Sequence, residues 1–381
     1  MGAMATRAAE LFAATMMFSS VSVLFFSRLA PLMGIMDTPG GRKQHVGAVP
    51  LVGGLAIFVT LLTGAALLGI APRSGWFLFA LSLVIAVGLW DDVKEISPRA
   101  RFAIQVIAAG FMVWGAEVQL QHLGDLFGIR QLGLWVVGAP LTIFAIVGVV
   151  NSINMMDGMD GLAGSMSLTA LAWYTIVALD AGLDVQFHTG LLLCGAIAGF
   201  LLFNMRFPWQ PRARVFLGDA GSLMIGFVLG WFAIDLTQGA GRTFPPIAAL
   251  WVLLLPLADC VSLMLRRMSK GRSPFDGDRH HIHHYLLARG ITHSQTLGIL
   301  TAISVVFGAV GYFGWRLHAP EPVLFWSFAL AFLAYHRWIG KAWARVEASR
   351  ILEAPHVPQP LPVASPAAMG IEDRDEILTA S

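Results

Sequence analysis

The stretch QLGLWVVGAPLTIFAIVGVVNSINMMDGMDG, residues 131–161, runs through a long apolar segment and then at once meets Asn151, Asn154, Asp157 and Asp160. About twenty apolar residues are what a helix needs to cross a hydrocarbon layer of roughly 30 Å. Residues 131–150 therefore read as a membrane span that delivers four polar side chains to one face of the layer. Similar runs at 10–30, 51–71, 75–90, 102–119, 163–180, 187–203, 219–235, 244–265, 295–314 and 320–338 bring the expected spans to about eleven. Of the 381 residues, 56% are hydrophobic and 13% charged, against about 25% charged in soluble domains, so a soluble enzyme is excluded. No β-type alternation persists, which disfavours a transmembrane barrel. The fold class expected is all-α, a polytopic integral membrane protein.

Counted over alternate connections, one side of the layer collects twenty Lys and Arg and the other five. Positive residues are retained on the cytoplasmic side, so the N-terminus is expected outside and the C-terminus in the cytoplasm, in a cytoplasmic (inner) membrane. The net charge of +2 gives no reason to expect nucleic acid. Cys194 and Cys260 sit inside apolar runs and read as reduced, buried thiols. No connection is long enough for a separate soluble domain, so residues 1–340 are expected to form one transmembrane domain. Residues 341–381, with a Pro-rich stretch and a final acidic group, are expected to form a disordered cytoplasmic tail.

Five polar clusters fall on the cytoplasmic side in this topology. They are Asp37 to His45, Trp90-Asp91-Asp92, Asn151 to Gly161, Phe216 to Ser222, and Asp278 to His284. Adjacent carboxylates such as Asp91 and Asp92 need water, a cation or a basic partner; they suit a divalent ion, or simply face Lys94 and Arg101. Asn151, Asn154, Asp157 and Asp160 recur every three residues, which gathers oxygen donors near one face of a helix end, a set suited to Mg²⁺, with Mn²⁺ as the alternative, and to sugar hydroxyls. Gly218-Asp219-Ala-Gly-Ser222 opens a helix, where backbone N–H groups favour a phosphate beside an Asp219-bound metal; plain N-capping is the other reading. His281, His283 and His284 lie among arginines without the spacing of a zinc site, which favours contact with phosphate. Asp259 is open between a site residue and a partner of Arg266, the structural role being preferred.

Taken in order, DTPGGRKQHVGAVPLVGG (37–54), WDD (90–92), NSINMMDGMDGLA (151–163), FLGDAGS (216–222) and DRHHIHH (278–284) resemble the motifs of the polyprenyl-phosphate N-acetylhexosamine-1-phosphate transferases. The HIHH ending is similar to the WecA-like branch. The resemblance implies transfer of a HexNAc-1-phosphate, GlcNAc-1-phosphate first among them, from a UDP-sugar to undecaprenyl phosphate, with release of UMP at the start of surface polysaccharide synthesis. It implies metal ligands at Asn154 and Asp219 and catalytic acids at Asp91 and Asp92. It places Phe216 on the uracil, Asp160 in the nucleoside pocket and His281, His283 and His284 on phosphate or sugar. Lys43, His45, Asn151, Asp157, Asn204, Asp278 and Arg279 complete the expected substrate-binding set. Asp91 or Asp92 would deprotonate or orient the lipid phosphate; a two-step path with one of them as covalent nucleophile is equally compatible. A homodimer is left open. The competing class is a transporter of nucleotide sugars or lipid-linked sugars, which would place polar groups near the midplane.

Overall fold

The computed structural model describes residues 2–38, 47–69, 75–239, 244–274 and 280–353. Lys43, His45, Asp278 and Arg279 lie outside the described residues, as does the segment from 354 to 381. The described residues are mostly helical. In order come α1 (Gly2–Met33), α2 (Gly53–Leu68), α3 (Gly75–Val93), α4 (Pro98–Gly110), α5 (Gly138–Met156), α6 (Leu162–Asp180) and α7 (Asp184–Asn204). There follow α8 (Gly218–Asp235), α9 (Pro246–Val252), α10 (Leu254–Ser269), α11 (Ile282–Ala288), α12 (His293–Arg316) and α13 (Glu321–Glu353). A two-stranded antiparallel pair, β1 (Met36–Asp37) with β2 (Val49–Pro50), joins α1 to α2.

Eight helices among the described residues are long and apolar enough to cross a membrane, and a ninth span results if α9 and α10 count as one. This is fewer than the eleven expected, for physical reasons that differ by element. α2 has 16 residues, about 24 Å at 1.5 Å per residue, short of the roughly 30 Å layer. α4 opens on Pro98 with Ser97 as its N-cap and carries Arg99 and Arg101 in its first turns, which lowers its apolar character. α9 and α10 meet at 82°; Pro256, in the first turn of α10, has no N–H to continue a helix through the joint. At the far end, α13 continues to Glu353, past the boundary expected at residue 340.

The expected span 131–150 is shifted toward the C-terminus. Trp135–Val137 form a 3₁₀ turn and α5 runs on to Met156, so Asn151 and Asn154 stand on the last turns of the helix, at the helix end expected for them.

α8 is the axis of the bundle, 89% buried along its apolar window against 11% for α13. It packs against α3 and α5. In a layer with no hydrophobic drive between helices, close approach depends on small residues, and here a Cβ on Gly54 would collide with the backbone of Gly221. The α2–α8 contact is sealed by Gly53 N and Gly54 N donating to the carbonyls of Phe216 and Leu217, both at 3.0 Å. Overpacking costs about 1–3 kcal/mol, so Gly54→Ala is expected to lower Tm in detergent. Gly148→Ala, at a position with nothing within 4 Å of the new Cβ, is expected to leave it unchanged.

Candidate active site

The ends of α3, α5 and α10 and the starts of α8 and α11 meet at one end of the bundle. The first junction is made by Asp92. Its carboxylate accepts from the backbone N of Asp219 (2.8 Å) and of Ala220 (3.2 Å), so the anion seat expected for a phosphate at the start of α8 is filled by the protein's own carboxylate. Gly218 turns into α8 with φ of +76°, and a Cβ there would press on Asp92 Oδ2 at 2.6 Å; glycine meets both demands.

Asp91 points the other way. It accepts from Ile96 N (2.8 Å) and from Arg101 Nη1 (2.7 Å), and its side chain is 6% exposed. The pair thus separates into two roles: Asp91 holds the α3–α4 turn and aims Arg101, and Asp92 holds α8. Arg101 Nη1 also lies 3.5 Å from Asp219 Oδ1.

Asn154 joins α5 to α8. Its Nδ2 donates to Asp219 Oδ1 (2.6 Å) and to Ser222 Oγ (2.9 Å). One turn earlier, Asn151 Nδ2 donates to Gln105 Oε1 (2.7 Å) and to Val147 O (2.8 Å). Asp219, with a third of its side chain exposed, stands beside them.

A cavity of about 1100 Å³ opens at this junction. Its wall is formed by Arg99 and Arg101 of α4, by Asn151, Asn154, Asp157 and Gly158, by Arg267 of α10, and by His281, His283 and His284. The oxygen-rich end of α5 and the histidine segment, more than a hundred residues apart in sequence, therefore share one space.

Asp160 does not join the other three on one face. α5 ends at Met156, the helical period stops with it, and Asp160 is carried to a separate ion pair with Arg206 Nε at 2.7 Å, with Ala213 N at 3.2 Å. Asn204, expected to bind substrate, is spent on the fold: its Oδ1 accepts from Gly161 N (2.8 Å) and its Nδ2 donates to Val215 O (2.9 Å). Phe216 is half-buried outside the cavity wall, its N donating to Pro50 O at 2.9 Å.

At the cavity wall, Asp157 and His283 carry displaced pKa values. Asp157 is half-buried by surface yet deep among other carboxylates; burial first, then Asp219, Asp92 and Asp160, push its pKa up to about 8. A cation beside it would reverse that cost. Burial, then His284 and His281, push His283 down to about 3. His283 is thus a neutral imidazole at neutral pH and brings no charge to the cavity wall. Its ring rests over Gly158, where a Cβ would come within 2.7 Å of Nε2.

The reading that Asp91 and Asp92 face a basic partner holds for Asp91 with Arg101; Gln105, which meets Asn151 across helices, carries no local signal in the sequence. Asp259 is not a partner of Arg266, which donates to His280 O at 3.0 Å, but of His281, 2.7 Å away.

Residues 75–237 match the model of the family described as glycosyl transferase family 4. The chain is 36% identical over 337 residues to undecaprenyl-phosphate alpha-N-acetylglucosaminyl 1-phosphate transferase of Haemophilus influenzae, covering 87% of this chain and 95% of that one. It is 36% identical over 331 residues to the same-named protein of Pasteurella multocida, covering 86% and 92%. For that of Escherichia coli K12 the identity is 32% over 329 residues, covering 86% and 89%. The chain belongs to this transferase family. The family match runs from α3 to just beyond α8 and so takes in Asp91, Asp92, Asn154, Asp157, Asp160 and Asp219.

His283 makes the protein acid-sensitive. An unfolded histidine titrates near 6.5 and this one near 3, so its titration leaves stability unchanged above pH 6.5 and lowers it as pH falls below that value. At pH 5 the loss is about 2 kcal/mol. Thermal unfolding in detergent at pH 7 and pH 5 should show a drop in Tm that is smaller in His283→Gln.

Proposed function

We propose that the chain transfers N-acetylglucosamine-1-phosphate from UDP-GlcNAc to undecaprenyl phosphate, releasing UMP. The observation that carries this reading is the single cavity in which Asn151, Asn154 and Asp157 face Arg101, Arg267 and the three histidines, in a chain aligned over most of its length with transferases so named. The relatives' names supply the acceptor and the sugar; the donor's UDP is the family expectation. Eleven crossings, with α2, α4 and the bent α9–α10 pair completing the eight long helices, and the excess of Lys and Arg at the site's end support an inner-membrane protein whose cavity faces the cytoplasm. A transporter would gather its polar groups near the midplane, whereas this cavity lies at one end of the helices.

The reaction brings two polyanions together. An oxygen of the lipid phosphate attacks the sugar-bearing phosphorus, the P–O bond to UMP breaks, and a lipid diphosphate sugar forms. The protein's work is to neutralise and align. Arg101, aimed by Asp91, and Arg267 offer fixed positive charge; Arg267 is buried and held by Pro274 O at 2.6 Å. With Asp91 closed by Arg101 and Asp92 seated on α8, both act as positioning groups in this reading, which favours direct displacement over a covalent enzyme intermediate.

The donor set fits a hard divalent cation. Asp219, Asn154 and Asp157 present oxygens without sulfur, and the carboxylate crowding at Asp157 is a demand for positive charge. Among the described residues no three His, Cys, Asp or Glu gather closely enough to hold a metal alone. Mg²⁺ characteristically takes one or two protein carboxylates, with waters and substrate phosphates completing its shell, so Asp219 with Asn154 would hold it. Once bound, it would neutralise the diphosphate and stabilise the leaving UMP.

The test is UMP release by the purified protein with undecaprenyl phosphate and a panel of UDP-N-acetylhexosamines. Activity is expected with UDP-GlcNAc, abolished by EDTA and restored by Mg²⁺. Asp219→Asn should reduce turnover at least a hundredfold; retained Mg²⁺-dependent turnover in that variant would overturn the metal assignment.

A further inference from the structure

Asp259 is fully buried on α10 and gathers three donors from two segments. His281 Nδ1 lies 2.7 Å from Oδ2, Ile282 N donates to Oδ1 at 3.1 Å, and Tyr335 OH donates to Oδ1 at 2.5 Å. A buried carboxylate is costly unless its oxygens are satisfied, and one kept at the back of a cavity wall points to a use. The donors differ in kind: His281 lines the cavity, whereas Tyr335 comes from α13, which adds no residue to the cavity wall.

A carboxylate only accepts, so the contact places the imidazole proton on Nδ1 and leaves the Nε2 edge for the cavity. The ring has no freedom to turn away. It is 6% exposed and stacks on His283 with centroids 5.7 Å apart and planes 9° from parallel. The continuation of α13 backs the same segment: the His280 ring meets Trp343 edge-on at 4.7 Å, and Ile339, Trp343 and Val346 share a buried cluster with Ile282 and Leu286.

We propose that Asp259 and Tyr335 are positioning residues for the transfer reaction, fixing His281 so that its Nε2 edge meets a phosphate group of the bound substrates. The proposal rests on the transferase reading above. α13 thereby becomes part of the site's machinery without touching substrate.

The experiment uses the full-length protein in detergent, assayed for UMP release with UDP-GlcNAc, undecaprenyl phosphate and Mg²⁺. Tyr335→Phe removes one hydroxyl at constant shape and is expected to lower kcat about tenfold, with KM for UDP-GlcNAc and Tm little changed. Asp259→Asn should cost more, and adding it to His281→Asn should cost nothing further, because residues acting through one another are not additive. Ser262→Ala supplies the control: Ser262 Oγ meets His336 Nδ1 at 2.9 Å, another polar link between α10 and α13, and its loss should leave activity at the wild-type level. If Asp259→Asn and His281→Asn multiply independently, if Ser262→Ala loses as much as Tyr335→Phe, or if Tyr335→Phe keeps full kcat, the proposal is overturned. A wild-type protein that releases no UMP from any donor overturns the transferase reading, and this proposal with it.

Discussion

The carboxylate of Asp92, seated on the amides of Asp219 and Ala220, is the contact on which the site's geometry depends. A helix start leaves its first N–H groups without partners, and inside an apolar bundle an unpaired donor is expensive. Capping α8 from α3 removes that cost and couples two spans at a fixed height. Asp219 then falls beside Asn154 of α5, and the cavity edge follows. The same bond explains why the helix dipole of α8 is not left to bind an external anion.

Polar side chains in this chain work in pairs that reach across helices. Asp91 with Arg101, Asn151 with Gln105, Asn154 with Asp219 and Asp259 with His281 each join a residue near the cavity to one that holds it. Such pairing satisfies groups that water cannot reach and also narrows the positions they adopt, which is what charge alignment between two polyanions requires. Crowded carboxylates at Asp157 and a neutral His283 show the opposite tendency at the cavity's floor: electrostatic cost is kept where a cation or a phosphate would relieve it.

Much of this was legible before any coordinates. Apolar runs located the eight long helices among the described residues, because membrane thickness dictates their length, and the positions of the polar clusters marked one end as the site; the break between α9 and α10 and the short α11 were not legible in them. Where a residue departs from the arrangement its spacing suggested, the cause is local. Asp160 followed the three-residue spacing of Asn151, Asn154 and Asp157 on paper, but α5 stops at Met156 and the period stops with it. Asn204 looked available and is consumed by two backbone groups. Phe216 is half-buried with its N donating to Pro50 O, away from the cavity wall.

Composition and spacing alone determined that the chain is a helical membrane protein with oxygen-rich and histidine-rich motifs gathered at one end, since burial in lipid is decided by apolar length and chemistry by residue type. Which motif touches which was decided only by tertiary structure. Asp92 and Asp219 are 127 residues apart, and Asp259 and Tyr335 are 76 apart; no periodicity in sequence encodes such a meeting. It follows from helices packing closely enough, through residues such as Gly54 and Gly221, for short polar side chains to reach one another.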